Sequence, residues 1–269
     1  MKQTFFPLDK ERILNMLDHD LNDNPIKIQI TESTSSTNED AKLHMVNHAD
    51  SITVHLSEQQ TAGKGRNGKK WISPKGKNIY LSVGWKSPLN YKDLEGMSLA
   101  VGVIIAKVLN RYSDSKACIK WPNDILIEDK KISGILIETQ ELSSHKGIGI
   151  VIGLGVNVHM SEEDGEEIDQ IWTSLDKTFR KKHDRNEIVS NLLKEIIKLT
   201  KIFPQKGFKH YKLEFESLNI LKGKECNVTS GGSTKVVKVK EVNDKGELIV
   251  QENSEYLVLR YGEVSIREL

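Results

Sequence analysis

The chain has 269 residues, of which 29% are charged and 37% belong to the hydrophobic set, and its formal net charge is +1. Such a length suits one large domain with a small appendage or two modest domains. No run nears the ~20 apolar residues of a membrane span, and the near-neutral balance argues against a dedicated nucleic-acid binder, which carries a basic surplus. Cys118 and Cys226 stand alone, and residues 1–12 lack a signal peptide's apolar core, so a cytoplasmic protein with reduced, packed thiols is expected.

Near the amino terminus Ile13, Leu14, Met16 and Leu17 predict a short helix in an otherwise weakly patterned stretch, too small for a DNA-binding module. Ile26, Ile28 and Ile30 alternate with Lys27 and Gln29, the period of a strand. Residues 33–37 make a hydroxyl-rich turn whose last members can cap a helix starting near Asn38. Residues 51–56 and 78–85 read as strands either side of a loop rich in glycine and cations. Residues 93–112 show the wide apolar coverage of a long helix lying against a sheet. Strands follow at 117–121, 125–127 and 131–139, and the brief turns between them imply antiparallel hairpins. Residues 147–158 are β-rich with Gly149, Gly153 and Gly155, and glycine inside a strand marks close approach by another group. The acidic stretch 161–170 reads as a solvated loop, followed by an amphipathic helix over 186–203 and a short one over 208–216. From Leu221 the texture changes to short β segments, including a hairpin turn at Asn243-Asp244-Lys245-Gly246, as in a small β-barrel of about 50 residues. Two domains are expected, 1–220 and 221–269.

The densest signal is Gly63-Lys64-Gly65-Arg66-Asn67-Gly68-Lys69-Lys70-Trp71. Residues 62–78 hold six lysines or arginines and no carboxylate, so cationic charge is concentrated here. Glycines let backbone approach a ligand, and the cations suit phosphate or carboxylate. An exposed basic turn without a ligand is the competing reading. A Walker A loop is excluded by Lys70, which stands where Ser or Thr should hold magnesium. A dinucleotide fingerprint fails because Trp71, Pro74 and Gly76 follow instead of a helix. A kinase loop fails because no His-Arg-Asp or Asp-Phe-Gly sequence comes later. What survives is a strand–loop–strand cation clamp.

Other segments converge on it. Gln59-Gln60 offers amide donors and acceptors just upstream. Ser36, Thr37 and Asn38 offer hydroxyls and an amide, either for a ligand or for capping a helix. Lys120-Trp121-Pro122-Asn123-Asp124 joins a rigid turn to an aromatic and a carboxylate, and taken alone it reads as structural. Lys131 either points into the same space or is an exposed hairpin lysine.

Together these segments, with Gln60-Thr61-Ala62 leading into the glycine loop, Lys131-Ile132-Ser133-Gly134-Ile135-Leu136, Gly153-Leu154-Gly155-Val156-Asn157 and Gly262-Glu263-Val264-Ser265-Ile266-Arg267, resemble the biotin–protein ligases. The family's loop is usually Gly-Arg-Gly-Arg-Arg-Gly, from which Lys64 and Asn67 depart; Lys64 keeps the charge and loses the planar fork. The resemblance implies an α+β fold: a mixed, mainly antiparallel sheet flanked by helices, like class II aminoacyl-tRNA synthetases, with a C-terminal SH3-like barrel. Only about 35 residues precede Ser36, so the winged helix of larger relatives, and a DNA-binding role, are not expected.

The implied chemistry activates biotin with ATP as biotinoyl-5′-AMP, then transfers biotin to a lysine of a carrier such as the biotin carboxyl carrier protein of acetyl-CoA carboxylase. By the resemblance Ser36, Thr37 and Gln60 hold the ureido end of biotin, and Asn38, Gly63, Gly65 and Gly134 complete its contacts. Trp71 and the strand near Gly134 and Leu136 supply an apolar wall. Lys64, Arg66 and Lys131 offset the repulsion of the two anions, with Mg²⁺ screening pyrophosphate. On the nucleotide side, Asn157 meets adenine and Trp172 stacks on it, while Trp71 and Arg267 complete the set. Lys131 binds the biotin carboxylate, and Asp124 orients or deprotonates the incoming lysine or merely stabilises its turn. A homodimer through sheet edges is common in the resembling family. The nearest alternative is a lipoate or octanoate ligase or transferase of the same architecture; a non-catalytic binder of RNA or an acidic partner is another, and its affinity would fall steeply with salt.

Overall fold

The computed structural model describes residues 6–17, 25–48, 51–142, 147–230, 233–260, 262 and 265–269. Glu263 and Val264 of the C-terminal motif lie outside the described residues. In chain order the strands of the larger sheet are β1 (Ile26–Thr31), β2 (Ile52–Ser57), β3 (Ile79–Ser87), β4 (Ala117–Lys120), β5 (Asp124–Ile127), β6 (Lys130–Glu141) and β7 (Ile148–Val156). They are ordered β1-β2-β3-β7-β6-β5-β4. Among the described residues of this sheet, only β1 and β2 run parallel, because helix α2 (Thr37–Asn47) crosses between them; every other neighbouring pair is antiparallel. The expected mixed, mainly antiparallel sheet is therefore present.

The central strands β2, β3 and β7 are buried almost throughout, as strands covered on both faces must be. Side chains alternate across a strand, and this sorts the two faces. On one face Gly84, Gly149 and Gly153 lie against Ala41, Met45 and Asn38 of α2, so missing side chains let that helix settle close to the sheet. The opposite face carries Ile150, Ile152 and Leu154 into the main core with α3 (Met97–Leu109) and α5 (Arg185–Lys206).

The helix expected over 93–112 begins late. Tyr91–Leu94 is a 3-10 turn, and Gly96 takes φ 76, outside helical space. Its partner in this break is Gly246, φ 80, whose added Cβ would come within 2.8 Å of the Gly96 Cα. The contact is tertiary, so no local pattern announced it.

The amino-terminal stretch is better integrated than its pattern implied. Short helix α1 (Lys10–Asn15) places Ile13 in the core, and Ser190 Oγ donates to the Ile13 carbonyl at 3.1 Å. Ahead of it, Arg185 Nη1 donates to Glu58 Oε2 at 2.7 Å and Nη2 to the Phe6 carbonyl at 3.1 Å, while Glu58 Oε1 accepts from the Leu8 amide at 2.7 Å.

Two short helices, α4 (Leu175–Phe179) and α6 (Lys212–Leu218), flank α5 in sequence. A second antiparallel sheet then holds β8 (Glu225–Ser230), β9 (Ser233–Val242), β10 (Leu248–Glu252), β11 (Glu255–Leu259) and β12 (Ser265–Glu268), ordered β11-β10-β9-β8-β12. Its Val237, Val239, Leu248 and Val250 join the same buried cluster as the large sheet. Trp121 Nε1 donates to the Gly246 carbonyl at 3.0 Å, tying the β9–β10 hairpin to the turn that precedes β5. Among the described residues, no helix is long and apolar enough to cross a membrane.

Candidate active site

A cleft of about 560 Å³ opens where the start of α2, the glycine loop, the turn before β5, β6, β7, the segment 167–172 and β12 meet. Of the residues singled out from sequence, Ser36, Thr37, Asn38, Gln60, Lys64, Gly65, Arg66, Trp71, Asp124, Lys131, Gly134, Asn157, Trp172 and Arg267 all line it. Gly63 is the exception. It stands behind the lining, where an added Cβ would lie 2.6 Å from the Trp71 carbonyl and 2.7 Å from Ser73 Oγ.

The glycine loop is itself a small hairpin. Lys64 and Lys70 face each other as a bridge, the Gly65 amide donates to the Lys69 carbonyl at 2.6 Å, and the Trp71 amide to the Gly63 carbonyl at 2.9 Å. At its tip Asn67 adopts φ 54, a conformation asparagine tolerates better than most side chains. That gives a backbone reason for the residue there.

Each of the three loop and strand cations meets a different partner. Lys64 Nζ donates to Glu39 Oε1 at 2.7 Å, and Arg66 Nη1 donates to Asn123 Oδ1 at 2.9 Å. Lys131 pairs with Asp124 Oδ1 at 2.8 Å and sits 5.5 Å from the Trp71 ring centroid. Lys131 is only 17% exposed, so it is not the exposed hairpin lysine of the competing reading, and Asp124 is its ion-pair partner. The hydrogen bond from Lys64 holds the Glu39 carboxyl below the usual carboxylate range, outweighing partial burial.

On one side of these cations is a polar nest. Gln60 Oε1 accepts from the Thr37 amide at 3.0 Å and from its hydroxyl at 3.1 Å, while Gln60 Nε2 donates to Ser73 Oγ at 3.2 Å. Ser36 stands at the N-cap of α2 without making a side-chain capping hydrogen bond, and the neighbouring Thr37 hydroxyl bonds Gln60 and Ser82. Beside the nest Trp71 lies flat on the strands: a Cβ at Gly155 would overlap its ring, and one at Gly134 would come within 3.0 Å. The glycines in β6 and β7 thus make room for an aromatic wall, and the indole Nε1 is buried without a partner.

On the other side, Asn157 Oδ1 accepts from Asn78 Nδ2 at 3.3 Å and its Nδ2 donates to the Thr173 carbonyl at 3.0 Å. Trp172 is held flat against Gly165, with Lys177 Nζ 4.6 Å from its ring centroid. The acidic stretch is not simply solvated. Lys70 pairs with Glu167 at 3.1 Å, Lys77 with Asp164 at 3.2 Å and Lys177 with Glu162 at 2.5 Å, and residues 167–170 border the cleft.

Residues 30–157 match the sequence model of the Biotin/lipoate A/B protein ligase family. The bifunctional ligase/repressor BirA of Escherichia coli is 31% identical over 214 residues, which are 79% of this chain and 65% of that protein. A biotin–[acetyl-CoA-carboxylase] ligase of Mycobacterium tuberculosis is 29% identical over 248 residues, 88% of each chain. Among solved structures, a biotin protein ligase from Aquifex aeolicus in complex with biotin and ATP superposes with a TM-score of 0.75 at 28% identity, covering 90% of this chain and 99% of that one. Over residues 30–157 the chain is thus similar to the biotin/lipoate A/B protein ligase family, and it spans about two thirds of the length of the Escherichia coli relative.

Several cleft and support residues carry no role in the sequence pattern. Asn123 is one: its Oδ1 meets Arg66, and its Nδ2 donates to the Ile135 carbonyl at 3.0 Å. It lies inside the quoted Trp121-Pro122-Asn123-Asp124 turn, where an amide between a proline and a carboxylate was the available signal. Glu39, Ser73, Ser82 and Glu138 gave no signal, because each acts through a partner distant in sequence.

Proposed function

We propose that the chain is an ATP-dependent biotin–protein ligase. It would join biotin's carboxylate to the α-phosphorus of ATP, expelling pyrophosphate, and then pass the biotinoyl group to a lysine amine of a biotin carboxyl carrier protein, expelling AMP. One observation carries this reading: Lys64, Arg66 and Lys131 enter a single cleft between the Thr37–Gln60 nest and the Asn157–Trp172 side. Two anions can meet there only if cations offset their repulsion, and fixed charges do so without reorganising.

Each group has a task matched to its place. The nest presents hydroxyls and amides to the ureido ring, Trp71 covers the apolar ring and tail, and Lys131 holds the carboxylate between nucleotide and biotin. Trp172 and Asn157 take the adenine side, with Arg267 reaching from β12. Asp124, 2.8 Å from Lys131 Nζ, accepts the proton of the incoming amine as its nitrogen attacks the acyl carbon and the acyl–phosphate C–O bond breaks. ATP enters as its magnesium complex. That ion would be carried mainly by phosphate oxygens.

The same reading takes residues 1–220 as a catalytic domain related to class II aminoacyl-tRNA synthetases and 221–269 as an SH3-like barrel. Isolated thiols Cys118 and Cys226 fit a reducing compartment, and the cytoplasm is the proposed location. The test is exchange of labelled pyrophosphate into ATP, run in parallel with biotin, lipoate and octanoate. Biotin alone should stimulate exchange; stimulation by lipoate or octanoate in its place would reassign the substrate.

A further inference from the structure

Lys64 lines the cleft, whereas the carboxylate that holds it does not. Glu39 Oε1 accepts from Lys64 Nζ at 2.7 Å and from Lys42 Nζ at 3.2 Å, and Lys42 also donates to Glu138 Oε1 at 2.6 Å. Glu138 Oε2 in turn accepts from Asn38 Nδ2 at 2.7 Å. Ser82 Oγ lies 2.5 Å from Asn38 Oδ1 and 2.7 Å from Thr37 Oγ1, which reaches Gln60. Gln60 bonds Ser73, whose hydroxyl donates to the Trp71 carbonyl at 2.9 Å. The network therefore leaves the glycine hairpin at Lys64, passes through the nest proposed for the ureido ring, and returns to the hairpin's other end at Trp71.

We infer that Glu39 is a positioning residue that fixes the Lys64 ammonium at the cleft rim and ties the glycine hairpin to the biotin nest. The inference rests on the ligase reading for its consequence in catalysis, but not for the tie itself. Glu39 keeps its charge against Lys64 well into mild acid, since that lysine's hydrogen bond lowers its carboxyl pKa. With side chains 49% and 39% exposed, the pair is weak and open to salt. A weak tie suits a hairpin that must admit ligand and then retain a hydrolysable adenylate.

The experiment uses the full chain and Glu39→Gln, which keeps volume and an acceptor oxygen while removing the charge. Amide hydrogen exchange over residues 63–71 without ligand should rise about two- to fivefold, as expected for losing one half-exposed pair. The biotinoyl adenylate, trapped by a small free amine in solution, should escape faster by a similar factor. High salt should move the native protein toward the variant and leave the variant nearly unchanged. In a Lys64→Met background, Glu39→Gln should add nothing further. Native exchange and escape in Glu39→Gln, or additive effects of the two substitutions, would overturn the role of Glu39. Should the native chain form no adenylate at all, the ligase reading falls, and exchange in the ligand-free protein still decides the tie.

Discussion

Two carboxylates bracket the Thr37–Gln60 nest and hold their cations on opposite terms. Glu58, two residues before Gln60, meets Arg185 across 127 positions of sequence with side chains 12% and 1% exposed. Glu39, one residue after Asn38, meets Lys64 at the half-exposed rim. A buried pair is costly to assemble and costlier to break, whereas an exposed one is nearly neutral and screened by salt. The nest thus has a fixed floor, where Glu58, Arg185 and the strap at Phe6–Leu8 lock β2 to α5, and an adjustable roof in the glycine hairpin. The same ion-pair chemistry stands at both ends, and burial decides its stiffness.

The largest effect should come from the floor. Arg185→Ala strands the Glu58 carboxylate in a buried setting and should destabilise the fold by about 3–5 kcal/mol. Urea unfolding measures this, and a loss under 1 kcal/mol would show that floor and roof do not differ as argued. Next is the cation between them. Lys131→Ala should slow adenylate formation ~100- to 1000-fold and leave stability close to native, since Asp124, a quarter exposed, can be hydrated once its partner is gone. Pyrophosphate exchange against an unfolding curve separates the two. A matching drop in both would make Lys131 a structural residue.

The floor has its own weak point beneath α2. His55 of β2 is buried, its Nε2 lacks a partner, and its ring meets that of His44 at 4.6 Å. Burial, and after it the neighbouring His44, pushes the imidazole pKa down from 6.5 to about 4. The unfolded chain then binds a proton that the folded chain refuses, so stability is full above pH 6.5 and falls as pH drops toward 4. A shift of that size corresponds to roughly 3 kcal/mol at most. His55→Leu should flatten this part of the stability–pH curve; an unchanged slope would move the acid sensitivity to another group.

Much of this contrast was legible, and the illegible part has a common physical cause. Alternation placed β1, while brief turns and runs of β-forming residues placed the other strands and the second sheet. The glycines at 149, 153 and 155 announced a close approach, and Met45, Asn38 and the Trp71 ring supply it. Most cleft residues were found because they sat in dense local motifs, whereas Trp172 came from the resemblance alone. By contrast, nothing near Arg185 in sequence marks it, and its importance comes from Glu58 and the Phe6 carbonyl, both remote in sequence. Gly96 breaks a helix that periodicity would extend, through contact with Phe208 and Gly246. The acidic stretch showed its charge but not the lysines that staple it beside the cleft. Pairings made by the fold leave no spacing to read.

The smallest expected effect tests the roof alone. Asn67 holds φ 54 at the hairpin tip, followed by Gly68 at φ 74, so the turn depends on two residues in left-handed space. Asn67→Gly should be almost silent, because glycine enters that region freely. Asn67→Val should cost ~1–2 kcal/mol, the penalty of a left-handed L-residue, sharpened by β-branching. That cost falls on a hairpin anchored by exposed pairs at Lys64 and Lys70, so it should appear as faster exchange over residues 63–71 and a raised KM, with global unfolding unmoved. If valine instead lowered global stability as much as Arg185→Ala, the hairpin would be part of the floor, and the distinction between a fixed and an adjustable side of the nest would collapse.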